Sequence, residues 1–307
     1  MRIAAMAAGA VGGYFGGRLA AAGHDVHFIA RGAHRDAIAA NGLKIESVHG
    51  DLHLPKVNVT DDPAKVGPVD IVLFAVKLWD TETAAAQARP LIGPNTRVIT
   101  FQNGVDSVER IGGVIGADKA VCGIAYIATV IASPGVIKHT SSFASMRFGR
   151  ADRKDDPALI AFADAGKAAK LDIAISPDIE VERWQKFIFL TAMAGATAGL
   201  RSSIGPVIAD AELRGFFRKL MEEAYAVGRA KGVAVPETYV QERMDFVLAK
   251  VEPGMKASMA HDLERGNRLE LEWLNGKVVE LGRALKVPTP AHEAVWTALK
   301  LHRMGKQ

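Results

Sequence analysis

Arg2-Ile3-Ala4-Ala5-Met6-Ala7-Ala8-Gly9-Ala10-Val11-Gly12-Gly13 is the stretch on which the reading of the fold turns. A short apolar run, strand-like from Arg2 to Ala7, meets a cluster of glycines, and from Val11 to Ala22 the pattern becomes helical. Strand, glycine turn and helix in that order form the first step of a βα unit. In that setting glycines let the backbone approach a pyrophosphate resting on the helix N-terminus. The usual spacing is G-x-G-x-x-G. Gly9 and Gly12 hold its second and third places and Ala7 its first, where a positive φ would cost alanine about 1 kcal/mol. The expected dinucleotide loop is therefore Ala7, Ala8, Gly9, Ala10, Val11 and Gly12; an ordinary glycine-rich βα turn is the plainer alternative.

The next strand, Asp25 to Ala30, ends in Arg31. An acidic residue about 20 positions after the glycines suits the ribose of NAD, whereas an arginine suits the 2′-phosphate of NADP. Val69 to Val76 and Thr96 to Phe101 are mostly apolar runs, interrupted by Asp70 in the first and by Arg97 and Thr100 in the second, as expected of parallel strands largely covered on both faces. From Lys119 to Gly149 the pattern is β-rich and broken by Ser133-Pro134-Gly135, which predicts antiparallel strands joined by a turn. Asp156 to Lys170 reads as the last helix of this part and Leu171 to Ser176 as its last strand. After Pro177 only helices are predicted: Glu180 to Leu200, Asp210 to Lys231, Pro236 to Lys250, Lys256 to Leu285 and Ala291 to Arg303. The expectation is an α/β Rossmann-type NADP-binding domain over 1–176, followed by an all-α substrate and catalytic domain over 177–307.

Composition fits such a chain. Its 307 residues are 49% hydrophobic and 23% charged, ordinary for a folded enzyme of two domains. The net charge of +4 is scattered, without a basic run, so a nucleic-acid partner is not expected. The uncharged stretch Phe187 to Leu200 falls short of the roughly 20 residues a membrane span needs. The lone Cys122 excludes an intrachain disulfide and suits a reducing cytoplasm. No histidine spacing points to a metal site.

The chain resembles the ketopantoate reductase (2-dehydropantoate 2-reductase) family over nearly its full length. The resemblance rests on Gly9-Ala10-Val11-Gly12 with Arg31, Val76-Lys77, Gln102-Asn103-Gly104, Trp184-Gln185-Lys186, Ser258-Met259-Ala260-His261-Asp262, Glu270, and Asn275-Gly276. It implies NADPH-dependent reduction of a small 2-oxo acid to a 2-hydroxy acid. It further implies Lys186 as general acid, with Glu270 beside it as a catalytic residue. Asn103, Ser258 and Glu270 would hold the substrate, and Lys77, with Asn103, would stand near the nicotinamide end of the cofactor. A homodimer stays open.

The chemistry is coherent without the family. Hydride addition to a ketone makes an alkoxide, which needs a proton donor and a positive neighbour. Lys186 directly precedes an apolar helix, where partial desolvation would ease loss of its proton; pairing with Glu182 on the helix surface is the plain alternative. Along one straight helix Ser258 and Glu270 would be about 18 Å apart, so a break at Gly266-Asn267 is expected if both serve one substrate. Where family members often carry asparagines, this chain has Leu190 and Ala194, and Met255 replaces a frequent polar residue. Leu190 is thus expected to line the substrate site and favour more apolar 2-oxo acids. Two further readings remain at this point: an NADP-binding sensor without activity, and a related β-hydroxyacid or opine-type dehydrogenase.

Overall fold

The computed structural model describes residues 1–306, which form two compact units. The first comprises Met1–Gln102 and Asp106–Ile179; the second comprises Asn103–Val105 and Glu180 onward.

In the first unit the chain runs β1 (Arg2–Met6), α1 (Ala10–Ala21), β2 (Asp25–Ile29), α2 (Gly32–Asn41), β3 (Leu43–Ser47), β4 (Leu52–Leu54) and β5 (Asn58–Thr60). It continues through β6 (Val69–Phe74), α3 (Thr81–Gln87), β7 (Ile92–Thr100), α4 (Ser107–Ile115), β8 (Ala120–Ser133), β9 (Val136–Gly149), α5 (Pro157–Ala168) and β10 (Asp172–Ile175). All ten strands form one sheet. Strands β5, β2, β1, β6, β7 and β8 lie side by side in parallel. This is the doubly wound order, with β1 at the point where the winding reverses. Strand β9 then pairs antiparallel with β8, across the turn predicted at Ser133-Pro134-Gly135. Its far edge takes β3 along Val136–His139 and β10 along Ser145–Phe148, both parallel.

Alternation along each strand explains the mostly apolar runs. Ile3, Ala5, Ile71 and Leu73 face one core, closed by Phe15 of α1 and Phe162 of α5. Ala4, Met6, Val72 and Phe74 face the other, closed by Ala85 of α3 and Ile111 of α4. Successive side chains point to opposite faces, so a strand covered by helices on both sides is apolar at most positions, and the charged Asp70 of β6 falls at an exposed one. Crowding also accounts for the glycines of α1: a Cβ at Gly17 would come within 2.6 Å of Ile45 Cδ1.

The second unit is all helical: α6 (Ile179–Gly199), α7 (Ile204–Ala209), α8 (Ala211–Ala230), α9 (Tyr239–Lys250), α10 (Ser258–Arg265), α11 (Asn275–Leu285) and α12 (Pro290–Leu299). The uncharged stretch of α6 buries Phe187, Ile188 and Ala192 in the core of this unit, and no described helix is long and apolar enough to cross a membrane. The helix predicted over Lys256 to Leu285 is two helices, α10 and α11. Gly266 ends α10 in the left-handed conformation (φ 71°, ψ 26°), which glycine adopts without penalty. Helix α9 starts only at Tyr239, and α12 ends at Leu299 in a short 3-10 turn.

A polar network ties this core together. His292 is wholly buried; its Nε2 donates to the Leu220 carbonyl (2.9 Å) and its Nδ1 accepts from Asn275 Nδ2 (3.0 Å). Burial pushes its pKa down to about 4, against the bond to Leu220. The Glu223 carboxylate accepts from the Ala291 and His292 amides (2.9 and 3.0 Å) and so caps α12. Burial pushes its pKa up, opposed by those two bonds.

Candidate active site

The predicted dinucleotide loop joins β1 to α1 at the carboxyl end of the parallel strands, where open α/β sheets bind ligands. Ala7 holds φ 62°, so the alanine in the first glycine place does sit in the strained left-handed region. Its carbonyl oxygen would lie 2.7 Å from a Cβ on Gly12, so only glycine fits there. Gly9 differs. It adopts ordinary extended backbone (φ −73°, ψ −158°), and a Cβ on it would meet only Ala7 O, at 4.0 Å. Nothing in the protein's own packing excludes a side chain at position 9, so the space there is free for a ligand to enter. The N–H of Gly9 donates to no group among the described residues, and Ala10 and Val11 supply first-turn amides of α1. This arrangement fits a pyrophosphate.

Ala8 fixes the loop to its surroundings. Its N–H donates to the Ile29 carbonyl (2.8 Å), and its carbonyl accepts from His34 Nε2 (2.9 Å). Arg31 is the N-cap residue of α2 and is exposed. Its guanidinium donates to Gln87 Oε1 of α3.

Lys77 follows β6, exposed, with its ammonium 5.6 Å from the centre of the Trp79 ring. A network beside this loop uses Gln102, to which no sequence pattern assigns a role. Gln102 Nε2 donates to the Val76 carbonyl (3.1 Å) and to Thr81 Oγ1 (2.8 Å), and its Oε1 accepts from Thr100 (3.0 Å). Arg110 donates to the Leu78 carbonyl (2.9 Å) and grips Glu82 with two bonds (2.6 and 2.8 Å). The bond from Arg110 holds the Glu82 carboxyl below its usual range.

In the second unit, Lys186 is half-buried on α6. Trp184, two positions before it, is wholly buried and packs against Gly228, where a Cβ would come within 2.7 Å of the indole. The Tyr239 hydroxyl donates to the carbonyl of Gln185, the intervening residue. Lys186 thus sits on backbone anchored from both sides. Leu190, one turn on, is half-buried against the core; Ala194 is wholly inside it. Ser258 is exposed at the start of α10, its hydroxyl bonded to no described residue. Glu270 is buried in the turn region between α10 and α11, so the straight-helix spacing to Ser258 does not apply. Asn103, beside the positive-φ Gly104, groups with this unit rather than with the strand it follows. Met255 is exposed.

A doubly wound sheet with such a loop, followed by a helical unit carrying a lysine anchored in this way, is the architecture of a Rossmann-type oxidoreductase. Comparison with known proteins narrows the class. The model of the ketopantoate reductase PanE/ApbA family matches residues 3–153, and that of its C-terminal domain matches residues 178–303. The chain belongs to the ketopantoate reductase family. A 2-dehydropantoate 2-reductase of Mesorhizobium japonicum is 31% identical, the match covering 96% of this chain and 95% of that one. The crystal structure of a PanE/ApbA family ketopantoate reductase from Ralstonia eutropha is 32% identical, with a TM-score of 0.89 and coverage of 99% and 98%. D-mandelate dehydrogenase, crystallised with NADH and anilino(oxo)acetate, superposes with a TM-score of 0.89 over 99% of this chain and 98% of its own. At 19% identity that is a likeness of fold alone.

Proposed function

We propose that the protein reduces a 2-oxo acid to the corresponding 2-hydroxy acid with NADPH. Ketopantoate is the first candidate, which would place the step in pantothenate synthesis in the cytoplasm. The observation that supports this best is the match of both units to the family models.

On this reading the Gly9 amide and the first turn of α1 hold the cofactor's pyrophosphate, and Arg31 takes its 2′-phosphate. Lys77 and Asn103 stand toward the nicotinamide end. When bound, the nicotinamide supplies a hydride to the carbonyl carbon. Lys186 Nζ gives its proton to the carbonyl oxygen as the π bond opens, and the resulting amine regains a proton from water. The positive charge on Lys186 before transfer lowers the cost of charge developing on that oxygen. Asn103, Ser258 and Glu270 hold the acid in place.

Leu190 supports a second reading, in which a more apolar 2-oxo acid is the preferred substrate. A leucine offers neither donor nor acceptor. A substrate hydroxyl left without a partner beside it loses on the order of 1–3 kcal/mol of binding.

The test is NADPH oxidation followed across ketopantoate and 2-oxo acids of similar size without its hydroxyl. Turnover of ketopantoate with a kcat/KM about a hundredfold or more above the others establishes the first reading. Comparable or higher values for the apolar acids establish the second. Absence of turnover with every acid overturns both.

A further inference from the structure

His34 lies in the first turn of α2, three positions after Arg31, and it reaches two other elements. Its Nε2 is 2.9 Å from the Ala8 carbonyl of the glycine loop. Its Nδ1 is 3.0 Å from the amide of Gly135, in the turn between β8 and β9. The amide of Gly135 is a donor, so Nδ1 must accept and Nε2 must carry the proton that goes to Ala8. One imidazole thus joins the loop, the helix that bears Arg31, and the β-hairpin.

The bond to Ala8 has a directional consequence. In a planar trans peptide the C=O and the following N–H point in opposite directions. Holding the Ala8 carbonyl toward His34 therefore turns the Gly9 N–H away from it. That N–H donates to no group among the described residues, and it belongs to the position with open space beside it. The preceding residue, Ala7, holds a left-handed conformation (φ 62°) that alanine does not favour. An external restraint opposes relaxation of this turn.

We propose that His34 is a positioning residue for cofactor binding, acting through the Ala8 carbonyl to aim the Gly9 amide at the pyrophosphate; this rests on the reading of the loop as the dinucleotide site. The imidazole itself does not touch the cofactor. Its effect falls on a part shared by NADPH and NADH, so it differs from that of Arg31, which acts on the 2′-phosphate alone.

Two conservative variants separate the two bonds. A glutamine amide nitrogen falls where Nε2 lies, so His34→Gln keeps a donor for Ala8 and gives up the acceptor for Gly135. An asparagine falls where Nδ1 lies, so His34→Asn does the reverse. The experiment is fluorescence titration of the unmodified protein, His34→Gln, His34→Asn and His34→Ala with NADPH and with NADH, with Tm recorded on the same samples. His34→Asn and His34→Ala are expected to weaken both cofactors by roughly fivefold to tenfold, the scale of one oriented hydrogen bond. His34→Gln is expected to stay within about twofold of the unmodified protein. Equal affinities for the Gln and Asn variants, a loss confined to NADPH, or a change in Tm with no change in affinity each overturn the proposal. If the unmodified protein binds neither cofactor, the dinucleotide reading and this proposal fall together; binding by the unmodified protein and equally by His34→Asn overturns this one alone.

Discussion

The two units place their candidate residues by different means. In the α/β unit the backbone does most of the work: a strained Ala7, a glycine that nothing larger could replace at position 12, and a Gly9 with open space beside it and an amide that donates to no described group. On the proposed mechanism side chains carry the chemistry in the helical unit, and the backbone's task is to stay still. Lys186 follows the buried Trp184, and Glu270 sits in a turn region fixed after the break at Gly266. Backbone sites tolerate exchange of side chains that keep the same φ and the same space. Side-chain sites tolerate backbone variation and fail when one functional group is removed. Substitutions in the two units should therefore differ in size and in kind.

The largest effect is expected at Lys186. On the proposed mechanism Lys186→Ala lowers kcat by about 10²- to 10⁴-fold, the scale of a general acid, while the Kd for NADPH changes little. Stopped-flow measurement of NADPH oxidation with the variant checks this, and near-normal turnover removes Lys186 from the mechanism.

Next in size is a pH effect on the helical unit. His292 is held neutral in the folded protein, with a pKa of about 4 against the usual 6.5. The unfolded chain therefore binds the extra proton first. The stability this neutral histidine confers is complete above about pH 6.5 and is lost as pH falls toward 4. Over that window the loss reaches about 3 kcal/mol. Glu223, whose pKa is raised, works in the opposite sense and offsets part of it. Urea unfolding followed by helical circular dichroism at pH 7 and pH 4.5 measures the net change. His292→Gln should flatten the profile, and a wild-type profile that is already flat contradicts the burial of a neutral imidazole.

Arg31 should come third. Arg31→Ala is expected to weaken NADPH by about tenfold, the value of a charge-assisted contact with phosphate, and to leave NADH almost unchanged. Equal affinity of the unmodified protein for the two cofactors would refute the assignment. The smallest effect is expected at Ala7. With φ at 62°, Ala7→Gly should relieve strain and stabilise the unit by up to about 1 kcal/mol, read as a rise in Tm of a few degrees.

What was legible in the sequence follows the same division. The helical pattern over Lys256 to Leu285 hides the stop at Gly266, which only the need to bring Ser258 and Glu270 together suggested. The glycine loop and the paired strands about Ser133-Pro134-Gly135, by contrast, announce themselves because turns are local events. So does α6, through its long uncharged run. Strands β3 and β4 were not read from the sequence: Leu43–Ser47 does alternate apolar and polar residues, but the run is short, and Ser47 meets its partner on β9, His139, 92 residues further on. Gln102 and His34 were missed as positioning groups for the same reason. Their bonds reach Val76 and Ala8, each 26 positions away, and Gly135, 101 positions away, and no neighbouring pattern encodes them. Lys186 was singled out by its motif, yet the anchoring by Trp184 and the Tyr239 hydroxyl emerged only from packing.

The attachment of β3 to β9 also bears on how the chain is made. Ser47 and His139, bonded at 2.8 Å where these strands meet, are 92 residues apart. A ribosome adding about 5–20 residues per second releases β3 roughly 5 to 20 seconds before its partner strand. During that interval the β3–β4 hairpin has an open edge, with Leu43 and Ile45 waiting for a surface that does not yet exist. The doubly wound strands up to β7 pair with one another and not with β3 or β4. The nascent protein is thus expected to acquire its nucleotide-binding half in order and to dock β3 only as the hairpin of β8 and β9 leaves the exit tunnel, with β10 joining the same edge afterwards.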